Sequence, residues 1–125
     1  MFELLAVPAK AKPCKGMAGL LEEGQECITE GAEKDPVIAD LGLIAAAQKT
    51  EHYEISGYGT ARAIAEQIGE EEVAALLTET QEEEEGTDEL LTALAGTLMA
   101  EAGGEAADDD EEEEESEEEL EEEEA

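Results

Sequence analysis

The stretch Glu51-His52-Tyr53-Glu54-Ile55-Ser56-Gly57-Tyr58-Gly59-Thr60 places carboxylates inside a stripe that should be apolar. Steps of four and three from Val37 pick out Val37, Leu41, Ile44, Gln48, Glu51, Ile55, Tyr58, Arg62 and Ala65, the inward seam of one long helix. The same spacing recurs in Val73, Leu77, Thr80, Glu84, Thr87, Leu91, Leu94 and Leu98, so a second helix also carries an acid on its inner face. An ionised carboxylate buried without a partner costs several kcal/mol, and it needs a cation, a shared proton or a metal ion. Arg62, the only arginine, lies eleven residues beyond Glu51, about 16 Å along a helix and out of direct reach. In helix bundles, inward-facing glutamates from facing helices build dinuclear iron or manganese sites.

Working outward, Asp35 as N-cap and Pro36 at the first helical position open the long helix, and Gly69 is placed to end it. The break at Ile68-Gly69-Glu70 is short, which folds a second helix, about 71–102, back antiparallel on the first. Glu70, Glu71 and Glu72 then stand at its positive N-terminal end. In such a hairpin Glu54 and Glu84 lie at nearly equal distances from the turn, as do Glu51 and Asp88, so four acids share about one helical turn of height.

By angle, Glu51 and Glu84 point nearest the seam, with Glu54 and Asp88 about 60° toward its edge. These four are the candidate metal ligands. His52 is a further candidate from the opposite margin of the seam, although one residue from Glu51 it cannot form an i, i+3 Glu-x-x-His pair. Tyr58, two turns on from Glu51, is placed as a hydrogen-bond donor behind the ligands or as a redox-active neighbour. Seam residues Gln48, Thr80, Thr87 and Arg62 are expected to be satisfied by hydrogen bonds across a bundle, and Glu82, Glu83 and Glu85 form a solvated face.

The flanks divide the chain into three parts. Residues 1–13 read as a linker stub carrying Pro8 and Pro13. Residues 14–102 form the helical body, which begins with a short helix from Gly16 to Ile28; Met17, Leu20, Leu21 and Ile28 face inward and Gly31 ends it. Gly103-Gly104 closes the body, and residues 103–125 are an acidic tail with almost nothing to bury, expected to be disordered.

The formal charge of −32 is uneven: residues 101–125 hold 17 acids and no base, while residues 1–100 hold 21 acids against six bases and still carry −15. Scarce Lys and Arg argue against nucleic acid and against anionic membrane, since those residues supply affinity for phosphate. An acidic surface of this kind fits a protein adapted to concentrated salt. No window reaches the length of an apolar membrane span, and no basic segment followed by an apolar run opens the chain, so a cytoplasmic location is expected. Cys14 and Cys27 are too few for a disulfide framework and lack zinc-ligand spacing, so both read as reduced thiols. One Phe, two Tyr and no Trp leave the core to Leu, Ile, Val and Ala.

The run Lys12-Pro13-Cys14-Lys15-Gly16-Met17-Ala18-Gly19-Leu20-Leu21-Glu22-Glu23-Gly24, then Leu43 to Thr50 leading into EHYEISGYGTARAIAEQIG, then Ala75-Leu76-Leu77 through Glu83-Glu84 to Asp88, resembles the YciE/YciF family of ferritin-like proteins. The resemblance covers residues 1 to about 100, and the EHYEI and YGT elements are its most specific part. It implies a ferritin-like bundle with a two-metal carboxylate site, ferroxidase-like chemistry and an association with stress responses. Members of that family begin with two more long helices, and Met1-Phe2-Glu3-Leu4-Leu5 resembles the end of the second. On this reading the chain carries half of a four-helix bundle and half of the ligands.

The expected protein is therefore all-α, a ferritin-like helical hairpin preceded by a short helix. It would bind iron or manganese through its carboxylates and complete the site by pairing with another copy as a homodimer. Oxidase chemistry needs two metals at close range with open positions, and the chain by itself shows carboxylates only. The rival reading is a non-enzymatic acidic helical protein whose tail engages basic partners, with the metal site vestigial.

Overall fold

The computed structural model describes residues 1–103 in full and, from there to residue 124, the backbone alone. Three helices follow one another: α1 (Lys15–Gly31), α2 (Pro36–Gln67) and α3 (Glu71–Glu124). The expectation of a disordered tail over 103–125 falls almost wholly outside the fully described residues. No helix among the described residues is long and apolar enough to cross a membrane.

The start of α2 follows from its sequence. Asp35 caps it, its Oδ1 accepting hydrogen bonds from the backbone N–H of Val37 at 2.9 Å and of Ile38 at 3.4 Å, and Pro36 occupies the first turn, where no donor is missed. At the other end Gly69 takes φ +79°, a left-handed conformation that glycine adopts without a Cβ clash. Backbone bonds from Gly69 N to Glu66 O and from Glu70 N to Ala65 O close the turn. Chain reversal over so few residues lays α3 along α2, and α1 packs on α2 as well.

Every residue of the α2 seam from Val37 to Ala65 is at least partly buried, with Ile44 and Ala65 fully so. On α3 the seam is buried at Val73 and Leu77 and half-buried at Thr80, Glu84, Leu91 and Leu98, while Thr87 and Leu94 are exposed. The tightest packing lies at the closed end, where Ala65, Val73, Ala74 and Leu77 form the core and Leu5, Tyr58 and Ala61 close over it. The stub is thus more than a linker. A turn over its first residues, with Leu5 N bonded to Met1 O at 3.2 Å, docks Leu5 on the core.

Two inward-facing residues expected on α1 are corrected. Met17 and Leu20 are half-buried, but Leu21 and Ile28 are 62% and 55% exposed. They line an open groove between α1 and α2 with Leu43 and Thr50, and no further element among the described residues covers it. The helix also starts one residue earlier than expected, at Lys15, because the Cys14 sulfur acts as its N-cap and accepts from Met17 N.

Candidate metal centre

Residues three apart on a helix share a face, so Glu51 and Glu54 project together from the middle of α2. The antiparallel return brings Glu84 of α3 opposite them. One carboxylate oxygen from each of Glu51, Glu54 and Glu84 lies within 4.8 Å of the others, and all three residues are half-buried. Oε2 of Glu51 is buried and receives no hydrogen bond. None of the three takes part in an ion pair among the described residues.

This crowding raises proton affinity. Glu51 is pushed up from 4.5 to about 7, first because its protonated form hydrogen-bonds Glu84, then through burial and through the charges of Glu84, Glu54 and Asp88. Burial, followed by the charge of Glu84, raises Glu54. Without another cation the cluster stays together by holding a proton. Three carboxylates around an oxygen that lacks a donor also suit a hard divalent cation, which takes oxygen ligands and repels no neighbour here.

The other two candidate ligands engage each other. Nε2 of His52 stands 3.1 Å from Oδ2 of Asp88. Nε2 of Gln48 donates to Asp88 Oδ1 at 3.1 Å and to Thr92 Oγ1 at 2.8 Å, which ties α2 to α3 one turn from the glutamates. Tyr58 is half-buried and packs on the core beside the cluster, and its phenol is raised by burial and then by the charges of Glu54 and Glu84.

Two features escaped the sequence. The Nε of Arg62 is buried without a partner; its place on the seam was legible, but that nothing would meet it was not. Cys14 Sγ lies 2.9 Å from the hydroxyl of Tyr53, the residue between His52 and Glu54, and so fastens α1 to the helix that carries the cluster. Gly16 is the one available signal for that contact, since a Cβ there would come within 2.6 Å of the Tyr53 hydroxyl.

Comparison with known proteins agrees with this architecture. YciF of Escherichia coli (strain K12) is 55% identical over 67 residues, which make up 54% of this chain and 39% of YciF. The crystal structure of the E. coli stress protein YciF matches with a TM-score of 0.71 and 46% identity, covering 75% of this chain and 58% of that one. The hairpin is therefore ferritin-like, as expected, and the chain spans about two fifths of the curated relative's length. A family model described as a domain of unknown function (DUF892) matches residues 1–103, most of the chain, and the protein belongs to that family.

Proposed function

We propose that this chain binds a divalent metal, iron or manganese, through Glu51, Glu54 and Glu84. The observation that carries the reading is the buried Oε2 of Glu51, which receives no hydrogen bond, inside a group of three carboxylates that no Lys, Arg or His pairs with among the described residues. Asp88 and His52 flank the group and hold each other at its rim. Three carboxylates suffice for one ion. Ferroxidase-like chemistry needs a second ion and further ligands, which a second hairpin facing the first would supply. The relative described as a stress protein supports a stress-associated role.

The test is thermal melting of the metal-free protein with added Mn(II), or Fe(II) under anaerobic conditions. At a free metal concentration of about 100 times the dissociation constant the parent gains about 2.7 kcal/mol. The Glu51→Gln/Glu84→Gln variant should melt higher than the parent without metal, because a like-charge contact is relieved, and should lose the metal-dependent rise. Glu82→Gln/Glu85→Gln controls for nonspecific screening and should keep it. An equal rise in the parent and in the Glu51/Glu84 variant would refute the metal site.

A further inference from the structure

The acidity of the chain has one interruption. Between Glu3 and Glu22 there is no acid, and Lys10, Lys12 and Lys15, half of the six basic residues, fall within that stretch. Cys14 stands among these lysines and is exposed. The other cysteine has the opposite surroundings. From Glu22 to Glu33 there are five acids and no base, and Cys27 lies between Glu26 and Glu30. The net charge of −32 repels any anion at long range, but at about 0.1 M salt charges more than about 10 Å away are largely screened. A small molecule at Cys14 therefore meets chiefly the charges beside it, and Lys12, two residues away, lies within about 7 Å along the backbone.

The Cys14 sulfur is held for attack. Sγ lies 2.9 Å from the Tyr53 hydroxyl and accepts from the backbone N–H of Met17 at 3.5 Å. The Tyr53 hydroxyl first, and then the Met17 N–H, keep the thiol below its ordinary pKa, which favours the nucleophilic thiolate. Gly16 keeps this arrangement possible, since a Cβ there would come within 2.6 Å of the Tyr53 hydroxyl. Both groups that touch the sulfur are uncharged, so the lysines act on the molecule that approaches. A thiolate needs an electrophile, and three lysines favour an anion. A peroxide is an electrophile without charge, and inorganic phosphate is an anion that a thiolate does not attack. A disulfide carrying carboxylates meets both requirements.

We propose that Cys14 is a site of thiol–disulfide exchange with small carboxylate-bearing disulfides, drawn in by Lys10, Lys12 and Lys15. The thiolate attacks one sulfur of the disulfide; a bond from Sγ to that sulfur forms as the original S–S bond breaks, and the other half leaves as a thiolate. Cys14 ends as a mixed disulfide, the incoming disulfide has supplied the oxidation, and no further reactant is consumed. Cys27, among acids, repels the same molecule.

Timed reaction of the full chain with two alkyl disulfides of opposite charge, dithiodipropionate and cystamine, tests the assignment, with chelator present and each cysteine followed by peptide mapping. The ratio of the two rates at one cysteine cancels its exposure and nucleophilicity, and comparing Cys14 with Cys27 cancels the intrinsic reactivity of the reagents. At about 0.1 M salt the anion-to-cation ratio at Cys14 should exceed that at Cys27 by about tenfold or more, and the difference should collapse near 1 M, where the screening length is about 3 Å. Lys12→Gln/Lys15→Gln should lower the ratio at Cys14 several-fold and leave that at Cys27 unchanged. Lys10→Gln/Lys12→Gln, both ahead of α1, replaces it if the change at Lys15 disturbs the helix, with circular dichroism as the check. Equal ratios at the two cysteines, a preference that survives 1 M salt, or one indifferent to the lysine substitutions would overturn the proposal.

Discussion

Nε2 of His52 and Oδ2 of Asp88 stand 3.1 Å apart across α2 and α3, so two of the candidate metal ligands contact each other beside the glutamates. The pair is exposed on the histidine side and largely buried on the aspartate side. If Glu51, Glu54 and Glu84 carry the binding, His52→Ala should leave the Mn(II)-dependent rise in melting temperature within about a degree of the parent's, while slightly destabilising the metal-free protein. Exposed ion pairs contribute roughly 0.2 to 1 kcal/mol, which bounds that loss. A large loss of metal response on removing His52 would make it a ligand.

The raised proton affinity of Glu51 fixes the sign of a pH effect. The group titrates at about 7 in the folded chain against an ordinary 4.5, so between those values the folded state binds more protons than the unfolded one and stability falls as pH rises. The contribution is fully present below about 4.5 and lost as pH passes through 7. Glu54 is raised as well and acts in the same direction. Chemical denaturation from pH 5 to 8 should show a fall that is shallower in Glu51→Gln, the difference between the two isolating this group from the general acidity of the chain. Saturating Mn(II) should flatten the parent's slope too, since a bound cation replaces the proton.

The turn joining α2 and α3 sets how the acids align. Gly69 at φ +79° has no neighbour within 4 Å of where a Cβ would stand, so Gly69→Ala meets no steric obstacle and costs only its backbone conformation. That cost is about 1 to 2 kcal/mol, to be read from urea unfolding with an unchanged m-value. Removing the Asp35 cap should cost about 0.5 to 2 kcal/mol on the same scale.

Much of this was legible in the sequence for a physical reason. Helix ends and seams are local: Asp35-Pro36, Gly69 and the four-three spacing from Val37 to Ala65 each act within a few residues, and a short turn converts residue number into height. The alignment of Glu51, Glu54 and Glu84 follows from that conversion. What spacing could not give is which faces and side chains find a partner. Leu21 and Ile28 are apolar at helical spacing, yet their face of α1 meets only an open groove. Asp88 has the expected height, and Gln48 and His52 contact its carboxylate there, contacts that side-chain reach decides and spacing does not.

The contact between Cys14 and Tyr53 joins residues 39 apart, and it yields the last prediction. The Tyr53 hydroxyl is the foremost cause of a lowered Cys14 thiol pKa, with the backbone N–H of Met17 at the start of α1 adding to it, because both stabilise the thiolate. Tyr53→Phe removes the hydroxyl and keeps the ring, so the Cys14 pKa should rise and alkylation by iodoacetamide near neutral pH should slow. Gly16→Ala should do the same by a different route, since its Cβ would stand 2.6 Å from the hydroxyl and 2.7 Å from a ring carbon of Tyr53 and must push the ring aside. Cys27, half-buried on the same helix, is the internal control and should react at an unchanged rate in both variants. Peptide mapping after timed alkylation separates the two sites. Faster modification of Cys14 in Tyr53→Phe would mean that the hydroxyl acts as a steric shield and not as a hydrogen-bond donor to the sulfur.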